Sequence, residues 1–323
     1  MSINIAFNLN IDNRITFIPS TMKKNVSTFN YITSQDNLSL RTGVWLCSNA
    51  EKSGTIILLG GRTEFMEKYL ETIGELIQRG FDVYSFDWRG QGMSDRILSN
   101  KQKGFVKSYD NYILDLKLFI ETVVKPDGVS PFIILAHSMG GHIALRFLHE
   151  YSNWIDKAVL VSPMVDIETS PLPGWVGRMI TSVAMRSGLK HAYAIGGGDY
   201  NPSKVVFNGN KRTSDQRRFH IEKHAFANNP GLTLGHVTYN WLRATFKSID
   251  ILTNAGYAEK ISCPILMVIA GEDKIVSVKA IKSLCCRIPN CMDVTISGAR
   301  HEILLEIDSI REQFWKGFDR FMQ

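Results

Sequence analysis

Apolar runs of strand length recur along this chain with helix-period stretches between them, and that order leaves few folds open. TIILL (55–59), FDVYSF (81–86), PFIILA (131–136) and KAVLVSP (157–163) are apolar at most positions, as strands buried on both faces must be. Between the first two, Tyr69, Leu70, Ile73, Leu76 and Ile77 share one helical face before Gly80 stops it, and further helices are expected near 108–124 and 141–151. Strands that take turns with helices make βαβ units, so the spacing predicts an α/β fold around a mostly parallel, doubly wound sheet. CPILMVIA (263–270) and MDVTIS (292–297) add strands, and Ile310, Phe314, Phe318 and Phe321 mark a closing helix on the sheet. Near the start, FNYIT (29–33) and LSLRTGVWL (38–46) flank Ser34-Gln35-Asp36-Asn37 and predict a hairpin. Residues 1–26 show no clear pattern.

The alternation breaks from about 165 to 247, where SPLPGW and IGGGDYNP separate amphipathic stretches and no strong strand occurs. The expected organisation is a core of 1–164 and 248–323 with a lid insertion, 165–247, lying over the sheet. At 323 residues and 44% hydrophobic, the chain can bury a sizeable core. No run of 18 apolar residues is present, so no membrane-spanning helix is expected. The N-terminus lacks the basic start and apolar block of a secretory signal, which makes a cytoplasmic location the expectation. Five cysteines without paired CxxC spacing or a histidine cluster predict neither a disulfide framework nor a metal site. A net charge of +6 permits attraction to phosphate groups, but no basic run is long enough for a nucleic-acid partner.

The chemistry concentrates in FIILAHSMGGHIAL, where Ser138 stands between a buried strand and a helix, Ala136 two residues before it and Gly140 two after. That is the setting of a nucleophile elbow, a strained turn that needs small neighbours and lifts the hydroxyl above the sheet edge. A serine hydroxyl is a weak nucleophile until a histidine takes its proton and an acid orients that histidine. His301, in ISGARHEILLE after the last strand, is the candidate base. His137 and His142 adjoin Ser138 but are expected to point elsewhere, and His149, His191, His220, His224 and His236 read as surface or packing residues. For the acid, Glu272 and Asp273 follow the penultimate strand and Asp166 follows AVLVSP; all three keep the order serine, acid, histidine. Asp273 is favoured because it sits deeper in its turn, with Val276 to anchor the loop, while Glu272 reads as a solvated neighbour. The oxyanion donors would be the backbone amides of Met139 and of Arg62, the latter in the turn Gly60-Gly61-Arg62-Thr63-Glu64.

GRTEFMEKY (61–69), FDWRGQGMSDR (86–96), AHSMGGH (136–142), AGEDKIV (270–276) and GARHEILLE (298–306) together resemble the bacterial lysophospholipase and monoglyceride-lipase branch of the α/β hydrolases. The resemblance runs over almost the whole chain, and 213–242 resembles that branch's lid. It implies an α/β-hydrolase fold and a triad of Ser138, Asp273 and His301, with Met139 and Arg62 as oxyanion donors. Monoglyceride lipases carry a histidine before the oxyanion glycine where this chain has Gly60, which turns the resemblance toward the lysophospholipases.

The expected function is therefore a cofactor-free serine hydrolase that cleaves the carboxylic ester of a single-chain lipid, a lysophospholipid, through an acyl-enzyme. A monoacylglycerol lipase, a short-chain carboxylesterase or thioesterase, and a carbon–carbon bond hydrolase share the same triad; a non-catalytic ligand-binding relative is the remaining alternative. Residues 165–250 hold eleven of the basic and six of the acidic side chains, a net +5, interleaved with Trp175, Met179, Val183, Phe219 and Trp241. Two readings stand: peripheral contact with a phosphate head group or an anionic membrane at its inner face, or an ordinary solvated helix face.

Overall fold

A computed structural model describes residues 7–10, 14–17, 27–168 and 173–323. Where the sequence shows no pattern, β1 (Phe7–Asn10) and β2 (Arg14–Phe17) pair antiparallel as a separate two-stranded ladder. The expected hairpin is β3 (Ser27–Thr33) with β4 (Ser39–Trp45). β5 (Gly54–Leu59), β6 (Phe81–Phe86), β7 (Phe132–His137), β8 (Lys157–Val161), β9 (Ile265–Ala270) and β10 (Cys291–Ile296) follow, all parallel to one another. The eight strands form one sheet in the order β10-β9-β8-β7-β5-β6-β4-β3, which β4 joins antiparallel to β6.

Alternate residues of the central strands feed two separate cores, which is why these strands read as unbroken apolar runs. Ile57 and Leu59 of β5 lie in the core shared with α2 (Tyr109–Phe119), α4 (Met139–Glu150) and α8 (Val278–Cys285). Ile56 and Leu58 lie in the other, with α1 (Leu70–Gln78) and α9 (Asp308–Met322), whose Ile310, Phe314 and Phe318 are buried there. Helix α2 starts on a capping box made by Ser108 and Asn111 and runs through a π-helical turn, Ile120–Val124, into the short α3 (Lys125–Asp127). Cys285 is bridged to Cys291 where α8 hands over to β10. The odd cysteine count gave no sign of this single link, which depends on a crossover that brings helix end and strand start together.

Within 173–253 the structure holds α5 (Gly174–Arg186), α6 (Gln216–Asn228) and α7 (Tyr239–Thr253), and no strand. Helix α7 runs across position 247, and its Trp241 and Ala244 belong to the core beneath the sheet face of α2 and α4. No helix among the described residues is long and apolar enough to cross a membrane.

Arg218, one of the eleven basic side chains of 165–250, is buried at the start of α6 and so serves neither as a head-group contact nor as a solvated face. Its guanidinium donates to Glu71 at 2.7 and 2.8 Å, to Asp215 at 2.8 Å, to Asp308 at 2.6 Å and to the Glu306 carbonyl at 2.7 Å. Burial works against the Glu71 charge, yet Arg218 and Arg311 hold that carboxyl down to about 2. Removing one member of such a cluster strands the others, at a cost of about 3 kcal/mol. We expect Arg218→Met to lose that much stability in chemical denaturation, whereas Arg217→Ala, whose side chain is mostly exposed, should stay within about 0.5 kcal/mol. Equal losses would show that Arg218 acts as a surface charge after all.

Candidate active site

Strand β7 ends at His137 and α4 begins at Met139, so the backbone reverses on Ser138 alone, at φ 50° and ψ −114°. A side-chain-bearing residue there is strained and persists only where its surroundings over-determine it. They do: the Ser138 amide donates to Val161 O at 3.0 Å, and its carbonyl accepts from Met164 N at 2.9 Å and His142 N at 3.1 Å. The helix is seated hard on the turn after β5, because a Cβ on Gly140 would stand 2.6 Å from Gly60 O and 2.7 Å from Leu59 O. On Gly141 it would stand 2.8 Å from Pro163 Cβ. Small residues at these positions are a packing requirement.

The loop after β10 brings His301 to this elbow. Its Nε2 lies 2.9 Å from Ser138 Oγ and its Nδ1 lies 2.7 Å from Asp273 Oδ2. The other carboxylate oxygen of Asp273 accepts the amides of Ile275 at 2.8 Å and Val276 at 3.0 Å. Burial would raise the Asp273 carboxyl, but His301 and these two amides outweigh it and hold it below its ordinary range. An ionised Asp273 can only accept, so Nδ1 of His301 carries the proton and Nε2 is free to receive one from the serine. The rivals stand apart: Asp166 accepts its neighbour Ile167 N at 2.9 Å, and Glu272 is exposed. His142 is turned away, bonded to Met164 O and Ser248 Oγ, with burial pushing it down to about 3.

The turn after β5 is braced from outside. Gly60 O accepts the Trp88 indole N–H at 2.8 Å, Gly61 O accepts Gln91 Nε2 at 2.7 Å, and Gln91 Oε1 receives the amide of Thr63 at 3.3 Å. Thr63 takes a φ of 67°, in the left-handed region, which tightens the turn. Among the described residues, no protein acceptor answers the N–H of Met139 or of Arg62. Free amides at a helix start and in the turn packed against it suit a developing negative charge. The Arg62 side chain donates to Thr63 Oγ1 at 3.0 Å and to Gly235 O, and burial lowers it to about 10.

The sequence family described as serine aminopeptidase, S33, matches residues 50–308. The chain belongs to this family. It is 31% identical to the probable lysophospholipase L2 of Haemophilus influenzae over 293 residues, covering 90% of this chain and 91% of that one. Against the lysophospholipase L2 of Escherichia coli K12 it is 31% identical over 265 residues, 79% of this chain and 76% of that one. Among solved structures, a soluble variant of monoglyceride lipase from Saccharomyces cerevisiae superposes with a TM-score of 0.72 at 18% identity, covering 93% and 97% of the two chains. That likeness shows the α/β-hydrolase fold, here with the eight-stranded, mostly parallel sheet described above.

Beside the serine, the hydrolase buries a charged cluster that the sequence reading missed. Lys68 Nζ lies 3.0 Å from Glu64, 2.9 Å from Glu302 and 3.6 Å from Glu222, and Arg212 reaches Glu222 at 2.8 Å. Burial disfavours the charges of Glu64, Lys68, Arg212 and Glu302, yet the three carboxylates hold Lys68 above its ordinary range, and Lys68 and His137 hold Glu64 well below its own. Burial also opposes a charge on His137, but Glu64 outweighs it and raises that imidazole. The only signal in the sequence is indirect: Glu64 and Lys68 lie four apart in the stretch GRTEFMEKY, which equally describes a solvated helix face.

The contact between α4 and the turn is the feature most open to test. Gly140→Ala should lower stability by about 2 kcal/mol and cut ester turnover, since helix and turn must part to admit the methyl. Unchanged turnover with an intact melting profile would show that the spacing is not critical.

Proposed function

We propose that the protein is a serine hydrolase cleaving the carboxylic ester of a single-chain lipid, a lysophospholipid before a monoacylglycerol. The observation that carries this reading is the unbroken hydrogen-bond chain from Ser138 through His301 to Asp273. His301 takes the proton as Ser138 Oγ attacks the ester carbonyl, and Asp273 stabilises the imidazolium that forms. The amides of Met139 and Arg62 receive the oxyanion. His301 then protonates the departing alcohol, and water admitted to the acyl-enzyme is activated by the same base to release the fatty acid. These steps use only side chains and backbone amides of this chain.

An aminopeptidase description of the family and lysophospholipase names among the relatives are compatible, because triad and oxyanion donors serve amide and ester alike. The relatives covering most of the chain favour the ester of a lysophospholipid. The monoglyceride reading keeps its place through structural likeness at low identity. Residues 165–247 fit a lid, and the carboxylesterase or thioesterase reading is separated by substrate size.

Ser138→Ala should lose ester turnover and fluorophosphonate labelling together, by several powers of ten, while retaining the fold. Asp273→Asn should lower kcat by about 10⁴-fold, and Asp166→Asn should not. A hydrolysis panel of lysophospholipids, monoacylglycerols and short p-nitrophenyl esters ranks the substrates; turnover confined to short esters would overturn the lipid reading.

The lipid reading extends to a cytoplasmic enzyme that touches the inner face of an anionic membrane. On α5, Trp175, Met179 and Val183 stand one turn apart with 64%, 52% and 56% of their surfaces exposed, and the exposed Arg186 and Lys190 flank them. Apolar side chains rimmed by exposed cations suit an interface of acyl chains and phosphate. Trp175→Ala with Met179→Ala should reduce sedimentation with phosphatidylglycerol vesicles, and rising salt should do the same. Equal sedimentation of variant and parent would leave α5 a solvated face.

A further inference from the structure

One carboxylate stands behind the catalytic apparatus and binds chain neighbours of the nucleophile and of an oxyanion donor. Glu64 Oε2 accepts the amide of Gly61 and the hydroxyl of Tyr69, and lies 3.1 Å from His137 Nδ1; Glu64 Oε1 lies 3.0 Å from Lys68 Nζ. The far side of the same imidazole, His137 Nε2, lies 3.2 Å from the carbonyl oxygen of His301. Gly61 adjoins the oxyanion donor Arg62, His137 adjoins the nucleophile Ser138, and the carbonyl belongs to the base itself.

The polarity of these contacts dictates a protonation state. Two of the ring's partners, the ionised carboxylate of Glu64 and the peptide carbonyl of His301, can only accept, and the third, the Tyr69 hydroxyl 3.4 Å from Nδ1, gives its proton to Glu64. A neutral imidazole has one N–H and would leave one contact as two lone pairs facing each other. Satisfying both contacts requires two N–H groups, hence an imidazolium. Lys68 keeps Glu64 ionised, and Glu302, also bound to Lys68, adds negative charge on the same side.

We propose that His137 is held as an imidazolium by Glu64, and that this buried ion pair is a positioning device joining the oxyanion turn, the elbow and the peptide of His301. Glu64 and His137 are positioning residues, since neither touches the reacting atoms. The titratable groups facing the His137 ring are Glu64 and Lys68 from the segment after β5, and Glu302 with His301 from the loop after β10; Tyr69 OH lies 3.4 Å from its Nδ1. Fully hydrogen-bonded charges in a low-dielectric setting fix orientation tightly, and a displaced oxyanion donor or base is felt in the transition state more than in the bound substrate.

The inference rests on the serine-hydrolase reading, and the experiment separates the two. Fluorophosphonate titration of the wild-type protein tests the reading: no labelling of Ser138 sinks it. Nitrogen-15 NMR of histidine-labelled wild-type protein tests the inference directly, with both ring nitrogens of His137 expected to be protonated at pH 8, assigned by loss of the signal in His137→Gln. Glu64→Gln should remove that second proton and lower kcat per titrated serine on the order of 10- to 100-fold, with little change in KM. A merely structural role would lower the melting temperature and the titratable fraction while leaving kcat per titrated serine alone. A neutral His137 ring in the wild-type spectrum, or kcat per titrated serine in Glu64→Gln within about twofold of the parent, overturns the proposal. The wild-type spectrum decides the matter even if Glu64→Gln does not fold.

Discussion

How closely α4 approaches the turn after β5 governs nearly everything else in this hydrolase. Two carbonyls, of Leu59 and Gly60, lie where a Cβ of Gly140 would have to be. With the helix start pressed on that turn, the first helical amide and the amides of the turn crowd into one small region. The same seating forces the chain to reverse on a single residue, so Ser138 takes a conformation that a free chain would avoid. Bonds to Val161, Met164 and His142 hold it there. The strain and the geometry have a common origin in packing, and the apolar cores on both faces of the sheet provide the rigidity that sustains them.

Around this point the protein buries charge in an unusual way. An isolated ion in the interior would be expensive, and each of Glu64, Lys68, Glu222, Arg212 and Glu302 is tolerated because the next one compensates it. The members come from the segment after β5, from α6 and its approach, and from the loop of His301. Packing fixes the elbow, whereas fixed charge fixes what surrounds it.

The fold was legible because its strands are buried on both sides and so announce themselves as apolar runs, with helices between. Ser138 was legible from its small neighbours, and His301 and Asp273 from their places just past late strands. What escaped was whatever depends on burial of polar groups. Glu64 and Lys68 look like any exposed pair four apart, and only the fold shows that they face inward. His137 was judged a bystander for pointing away from the serine; it does point away, toward the backbone of the base. FDWRGQGMSDR entered only through the resemblance, and the bonds of its Trp88 and Gln91 were not readable because the turn they brace lies some thirty residues earlier. Arg218 counted as surface charge because its partners Glu71 and Asp308 lie far away in sequence. The ladder of β1 and β2 escaped although FNLN and RITF each alternate apolar with polar residues, because four residues are too short a run to carry a period.

Residues 212–218 are fastened to the loop that carries His301, whereas among the described residues the helix before them is not. Glu302 N donates to Arg212 O, Thr213 Oγ1 to Leu305 O, Ser214 N to the Glu306 carboxylate, and Arg300 reaches back to Thr213 O. Displacing this strip would therefore also displace the loop that holds His301 against Ser138. Helix α5, by contrast, leans on α7 and is tied there by the surface pair of Arg178 and Asp250. The inserted segment thus has two different anchorages, one shared with the His301 loop and one made on its own neighbouring helix.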